Sequence, residues 1–160
     1  MQPRIESIPE KKLVGKRLRT SLAHNRTAEL WKSFMPHRGE IINAAGQELF
    51  SISVFDAGYF SVFNPLTEFD KWAAVLVSDH APVPTGMEIL TIPAGLYAVF
   101  NYKGLASAGA TFFQYIYGTW IPGSEYELDN RPHFEVLGDK YKNEHRASEE
   151  EVWIPVRIKA

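Results

Sequence analysis

The sequence predicts an α+β protein made of two tandem β-α-β-β units, with antiparallel sheets, two main helices and a groove between the repeats. Three observations predict it. Short runs alternate apolar with polar residues and are bounded by Pro, Gly and Asn, the pattern of half-buried strands. Two segments break that period and repeat apolar residues every three or four positions, as helices do. The order of elements also occurs twice: each half reads strand, helix, strand, strand, and Trp72 and Trp153 hold matching places near the start of each last strand.

Residues 12–20, KLVGKRLRT, mix β-branched and basic residues and read as a strand with a solvated face. TAELWKSF, Thr27 to Phe34, is the first helix, with Thr27 as its N-cap candidate, Leu30, Trp31 and Phe34 as its apolar stripe, and Pro36 to end it. LFSISVFD, Leu49 to Asp56, alternates strictly, with Phe50, Ile52 and Val54 on one side and Ser51, Ser53 and Phe55 on the other. Asn64-Pro65 marks a turn, FDKWAAVLVS, Phe69 to Ser78, is a strand, and HAPVPTG, His80 to Gly86, is a Pro-rich connector.

In the second half, residues 87–104 read as strand, turn at Pro93-Ala94-Gly95, and strand. SAGATFFQYIYGTW, Ser107 to Trp120, is the second helix, with Ser107 as candidate cap, Phe112, Tyr115, Ile116 and Trp120 as its stripe, and Ile121-Pro122-Gly123 as its stop. HFEVLGD, His133 to Asp139, is a strand, residues 139–151 are an exposed charged loop, and EVWIPVRI, Glu151 to Ile158, closes the fold. The chain is read as a single domain, residues 1–160, with one pseudo-repeat over about 1–80 and the other over about 87–160.

A chain of 160 residues with ten Phe, seven Tyr and four Trp can bury a core without staples. Its formal net charge of -2 supplies no field to draw in nucleic acid or an anionic membrane. The absence of cysteine excludes disulfides, thiolate nucleophiles and Cys-ligated metals. MQPRIESIPEKK lacks the apolar core of a signal peptide, and no later run could span a bilayer, so a cytoplasmic protein is expected.

One residue stands out. Glu135 sits between apolar neighbours in HFEVLGD, where a sheet normally buries carbon. Alternation puts Val152, Ile154 and Val156 on one side of the closing strand, and Trp153, Pro155 and Arg157 on the other. With Phe134 and Val136 assigned to the same core as Val152, Glu135 and Trp153 are expected to project together from the opposite face. The same treatment puts Ser51, Ser53 and Phe55 with Trp72, Ala74 and Leu76 on the first unit's non-core face. Two such faces side by side would line an aromatic groove holding few polar groups, the form of a small-molecule pocket. A carboxylate there would attract an organic cation, with a cation–π share of ~0.5–2 kcal/mol from the rings. Alternatively, desolvation would make it a general acid or base. The bland alternative is a strand-edge glutamate on a wet face, paired with Arg157 or Arg131.

The run WIPGSEYELDNRPHFEVL, Trp120 to Leu137, followed by EEVWIPVRI and preceded by IPAGLYAVFNYKG, Ile92 to Gly104, resembles the GyrI-like small-molecule-binding family. That family includes the effector-binding domains of AraC- and MerR-type multidrug-sensing regulators. The resemblance implies a pseudo-twofold groove between repeats, with a glutamate at the bottom of an aromatic pocket that contacts cationic ligands. Carried over by motif, that glutamate is Glu135 and the closing-strand aromatic is Trp153. Trp72 is its counterpart in the first repeat, and Trp120 is wall or core. Phe55 and Tyr115 complete the candidate ligand-binding set. The chain departs from the pattern at Leu137, where the family often has an aromatic. It also lacks a helix-turn-helix region, so direct DNA binding is not expected.

No cofactor and no metal site is expected: His24, His37, His80, His133 and His145 have no ligand spacing, and no phosphate-binding loop is present. KKLVGKRLR, Lys11 to Arg19, alternates with apolar residues and reads as a solvated strand face. Three functions follow from the resemblance. The first is a stand-alone protein binding amphipathic, cationic or aromatic small molecules. The second is a hydrolase of small strained-ring compounds with Glu135 as general acid/base, and Tyr115 or Tyr126 as proton partner. The third is a modulator that binds a protein partner, a regulator or a gyrase-like target.

Overall fold

The computed structural model describes residues 2–79, 81–105, 109–138, 141 and 148–160. Nine strands among them form one continuous antiparallel sheet: β1 (Arg4–Ile8), β2 (Lys11–Thr20), β3 (Leu49–Val54), β4 (Phe69–Leu76), β5 (Glu88–Ile92), β6 (Gly95–Lys103), β7 (Tyr126–Leu128), β8 (His133–Leu137) and β9 (Glu149–Ile158). The strand order is β1-β6-β9-β8-β3-β4-β2-β5, with β7 added beside β9. That order is symmetric about the β3–β8 pair, which joins the two halves into one sheet.

β1 and β7 escaped the sequence reading. β1 carries a charge on either side of Ile5, and β7 has three residues, too few to show a period. β1 is nonetheless the counterpart of β5. Both end in Ile-Pro, at Ile8-Pro9 and Ile92-Pro93, and each pairs with a strand of the other half, β1 with β6 and β5 with β2. Only Pro9 and Glu10 separate β1 from β2, although these strands lie near opposite ends of the sheet. The sheet must therefore curl until its ends meet.

The curled inner face encloses a core of Phe50, Ile52, Trp72, Ala74, Tyr97, Val99, Phe134 and Val136, sealed by Ile8, Leu13 and Ile92. Close approach of backbones inside the curl requires Gly15 on β2. A Cβ there would lie 2.0 Å from the Ala73 carbonyl oxygen across the β2–β4 pair.

Both helices lie on the outer face. Helix α1 (Thr27–Phe34) buries Leu30 and Phe34 against Val14, Ala73 and Val75. Thr27 does not cap it. The helix starts one residue earlier than a Thr27 cap requires, and Asn25 Oδ1 accepts the Thr27 N–H at 2.9 Å instead. A 3₁₀ turn, Met35–Glu40, follows α1 and carries Pro36 in its first turn, where proline costs no hydrogen bond.

Helix α2 (Gly109–Tyr115) runs into a π-helical turn (Ile116–Trp120) and a last turn, α3 (Ile121–Gly123). Ser107 lies outside the described residues. The π turn inserts one residue, so the buried positions Phe112, Ile116 and Ile121 are spaced by four and then five. They pack on Ala98, Phe100, Val152, Ile154 and Val156. Tyr115 and Trp120 flank that core half-buried, and Pro122 is accommodated at the start of the last turn.

Most of the expected charged loop, residues 139–151, lies outside the described residues; its end belongs to β9, which starts at Glu149.

Candidate ligand-binding site

The helices cover the two flanks of the sheet and leave the central pair, β3 and β8, between them. Register decides what floors that trough. Ser51 faces Glu135 and Ser53 faces His133, and opposed residues in an antiparallel pair share a side. On the next strand outward Ala73 and Lys71 lie opposite Ser51 and Ser53, which puts all six on the helix-bearing face. The Lys71 Nζ donates to Ser53 Oγ at 3.0 Å.

The expected shared face of Glu135 and Trp153 is not what the sheet contains. Trp153 pairs with Phe134 and stacks on it, ring centroids 5.2 Å apart and planes 14° from parallel. Trp72 pairs with Ile52, which pairs with Phe134, so both indoles belong to the inner face with Val136 and Phe50. Val152, Ile154 and Val156 share Glu135's side and lie under α2 and the turns after it. The sheet is buried on both faces, so both alternating sets are apolar, and alternation cannot say which set meets the helices. Trp72 is capped instead by the Arg17 guanidinium 5.9 Å from its ring, and Trp153 by Arg4 at 5.6 Å.

Trp120 packs edge-on to Phe100 at 5.3 Å and belongs to the α2 core, as Tyr115 does. Phe55 does reach the trough. Its ring lies 4.9 Å from His133 and 4.4 Å from Tyr59, and Phe60 stacks on His133 at 5.4 Å while touching Tyr117 at 5.1 Å. The segment after β3 thus folds back over the trough and meets the π turn of the opposite half. Beside it a cleft of about 360 Å³ opens, lined by Phe55, Tyr59, Phe60, Asp129, Arg131 and His133 among others. Glu135 does not line that cleft; it lies further along the floor, close enough to Tyr117 for its charge to act on the phenol.

Neither arginine of the bland alternative reaches Glu135. Arg157 bonds Glu127 at 3.0 Å, and Arg131 bonds Asp129 at 2.7 Å while covering the Tyr97 ring. Among the described residues, Glu135 meets another acid. Glu150 of β9 lies on the same side as Val152, diagonal to Glu135, close enough for the two carboxyl groups to interact. Burial first, and the Glu135 charge second, push the Glu150 carboxyl up to about 9. Burial drives His133 down to about 3, helped by Lys71 and Arg131, so its ring is neutral. Its Nδ1 lies 3.0 Å from the Tyr117 hydroxyl, whose own pKa burial raises, with Glu135 adding to it.

Sequence reasoning missed Tyr117, Tyr59, Phe60, Lys71 and Glu150 as trough residues, whereas alternation placed His133 on the face of Glu135. Tyr117 follows the helical stripe by one position and is turned inward by the π insertion, which no periodicity signals. Glu150 sits in an acidic run that reads as solvated. Phe55 was legible from alternation alone.

The fold is that of one known family. The family model for the GyrI-like small molecule binding domain matches residues 1–157. The chain belongs to the GyrI-like family. The BrlR transcriptional regulator of Pseudomonas aeruginosa is 29% identical over 157 residues, 98% of this chain and 56% of that protein. The chain thus spans about half the length of the curated relative it matches. Among solved structures, SAV2435 bound to tetraphenylphosphonium superposes with a TM-score of 0.73 at 16% identity, covering 98% of this chain and 94% of that one. EcmrR in its DNA complex gives 0.71 at 16% identity over 99% of this GyrI-like chain and 58% of its own. A hydrolase from Listeria innocua encoded by lin2189 gives 0.60 at 10% identity, over 98% and 92%. At these identities the likeness to the solved structures is one of fold. No helix among the described residues is long and apolar enough to cross a membrane.

Proposed function

We propose that this GyrI-like protein captures lipophilic organic cations in the trough between its helices, with the Glu135 carboxylate as counter-charge. The observation that carries the reading is a carboxylate on the trough floor, beside aromatic rings and, among the described residues, with no basic side chain bonded to it. Aromatic faces and a negative charge both favour a cation with an apolar envelope, and water excluded by the rings strengthens the attraction. Apolar burial would supply the affinity common to all ligands, and Glu135 the preference for charge. The ligand-bound state of SAV2435 makes tetraphenylphosphonium the natural probe.

Titration calorimetry with tetraphenylphosphonium and with neutral triphenylphosphine oxide tests this. Glu135→Gln should weaken the cation by roughly ten- to a hundredfold, about 1.4–2.8 kcal/mol, and leave the neutral compound nearly unchanged. Equal loss for both compounds would remove Glu135 from the reading.

The carboxyl pair favours a second reading, a hydrolase in which Glu150 donates a proton and Glu135 acts as base. Turnover of a strained-ring substrate that disappears in both Glu135→Gln and Glu150→Gln would select it over simple capture.

A further inference from the structure

Two carboxyl groups cannot hydrogen-bond to each other unless one keeps its proton, because ionised carboxylates are acceptors only. Glu135 and Glu150 lie diagonally on adjacent strands of one face, close enough for their carboxyl groups to interact, and are placed for such a bond. Oε2 of Glu150 is buried and no group donates a hydrogen bond to it, which makes ionisation of this carboxyl costly and favours a proton held there.

Among the described residues, the following groups face the pair. Lys71 reaches in from β4, with Nζ on Ser53. His133 of β8 is neutral, and so is Tyr117 of the π turn. β3 contributes the hydroxyls of Ser51 and Ser53, and the segment after it Tyr59. On β6, Tyr102 lies opposite Glu150 and donates its hydroxyl hydrogen to the Leu105 carbonyl. The neighbouring acids of β9 turn away, Glu149 to Asn101, and Glu151 to Arg4 and the Trp153 indole. With one proton on the pair, the formal charges of Glu135, Glu150 and Lys71 sum to zero. An entering monocation would leave the trough with an excess positive charge.

We propose that Glu135 and Glu150 share one proton in the ligand-free protein, and that an organic monocation displaces it, so capture exchanges one cation for one proton. The exchange balances: the monocation enters, Glu150 ionises, and the proton goes to solvent, leaving the trough's formal charge at zero before and after. Glu150 becomes a second ligand-facing carboxylate, formed only when the ligand arrives. The raised Glu150 pKa agrees with a proton held at neutral pH and released on demand. The inference rests on the cation-capture reading of the same trough.

Calorimetry of tetraphenylphosphonium at pH 7, in buffers of different ionisation enthalpy, counts the protons released. One proton per bound cation is expected, with Kd tightening about tenfold per pH unit from pH 6 to 8. Glu150→Gln should bind without proton release and with a flat pH profile. The wild-type count stands by itself if that variant does not fold. Binding with no proton released, or a flat wild-type profile, overturns the exchange while leaving cation capture intact. No binding at any pH overturns capture, and the exchange with it. In the ligand-free protein, carboxyl carbon NMR should show one glutamate titrating far above the rest; all glutamates titrating near pH 4–5 would overturn the shared proton directly.

Discussion

The two faces of the β3–β8 pair are one residue out of phase and chemically unlike. The inner face presents Phe50, Ile52, Phe134 and Val136, continued by Trp72 and Trp153, with rings stacked on rings. The outer face of the same strands presents Ser51, Ser53, His133 and Glu135, with Lys71 and Glu150 at their flanks. One face gains free energy from every carbon it removes from water. The other holds groups whose desolvation is unfavourable, and leaves the two helices apart. The difference teaches where stability and recognition reside: the inner core fixes the strands, and the strands hold a carboxyl pair that would not assemble unaided.

Removing inner-face carbon should have the largest effect. Phe134→Ala should cost about 3–5 kcal/mol in urea unfolding, while the folded fraction keeps its preference for a cation over a neutral analogue. A lost preference at full foldedness would mean that the faces are coupled rather than separate. Glu135→Gln inverts that pattern: cation binding falls by roughly ten- to a hundredfold, and unfolding shifts by less than about 1 kcal/mol or toward higher stability, since a carboxylate is removed from beside Glu150.

The pH dependence separates the faces further, because the titratable groups with large shifts in the trough belong to the outer one. His133 has a depressed pKa, so the unfolded chain takes up its proton first. The stability His133 contributes is present above about 6.5 and is lost as pH falls toward about 3. Glu150 has a raised pKa, so the folded state holds the extra proton. Its contribution is complete below about 4.5 and is lost as pH rises through about 9. Urea midpoints should therefore fall on the acid side less steeply in His133→Gln, and on the alkaline side less steeply in Glu150→Gln. Unchanged slopes would show that these groups do not titrate with folding.

The smallest effect belongs to the cap over the inner face. Arg4→Gln removes an exposed guanidinium from Trp153 and from Glu6 and Glu151, and should cost no more than about 1 kcal/mol. A larger loss would mean that the cation seals the curled edge rather than decorating it.

Several features are legible in the sequence alone. Alternation in LFSISV and FDKWAAVL found β3 and β4, the three- and four-residue spacing found both helices, and the matched order of the halves foreshadowed the symmetric sheet. Glu135 announced itself as a charge where carbon was expected, and the ordered motifs from Ile92 onward carried the family. All of this is local, because backbone period and side-chain polarity are properties of neighbours along the chain. The tertiary structure decided which apolar set faces the helices, and so moved Trp72 and Trp153 away from Glu135. It also joined Glu150 to Glu135 across the β8–β9 register, turned Tyr117 inward through a π turn, and drew Phe55 and Phe60 over His133. In a sheet buried on both sides the two phases of a strand look alike in sequence, and only strand pairing sets one against the other.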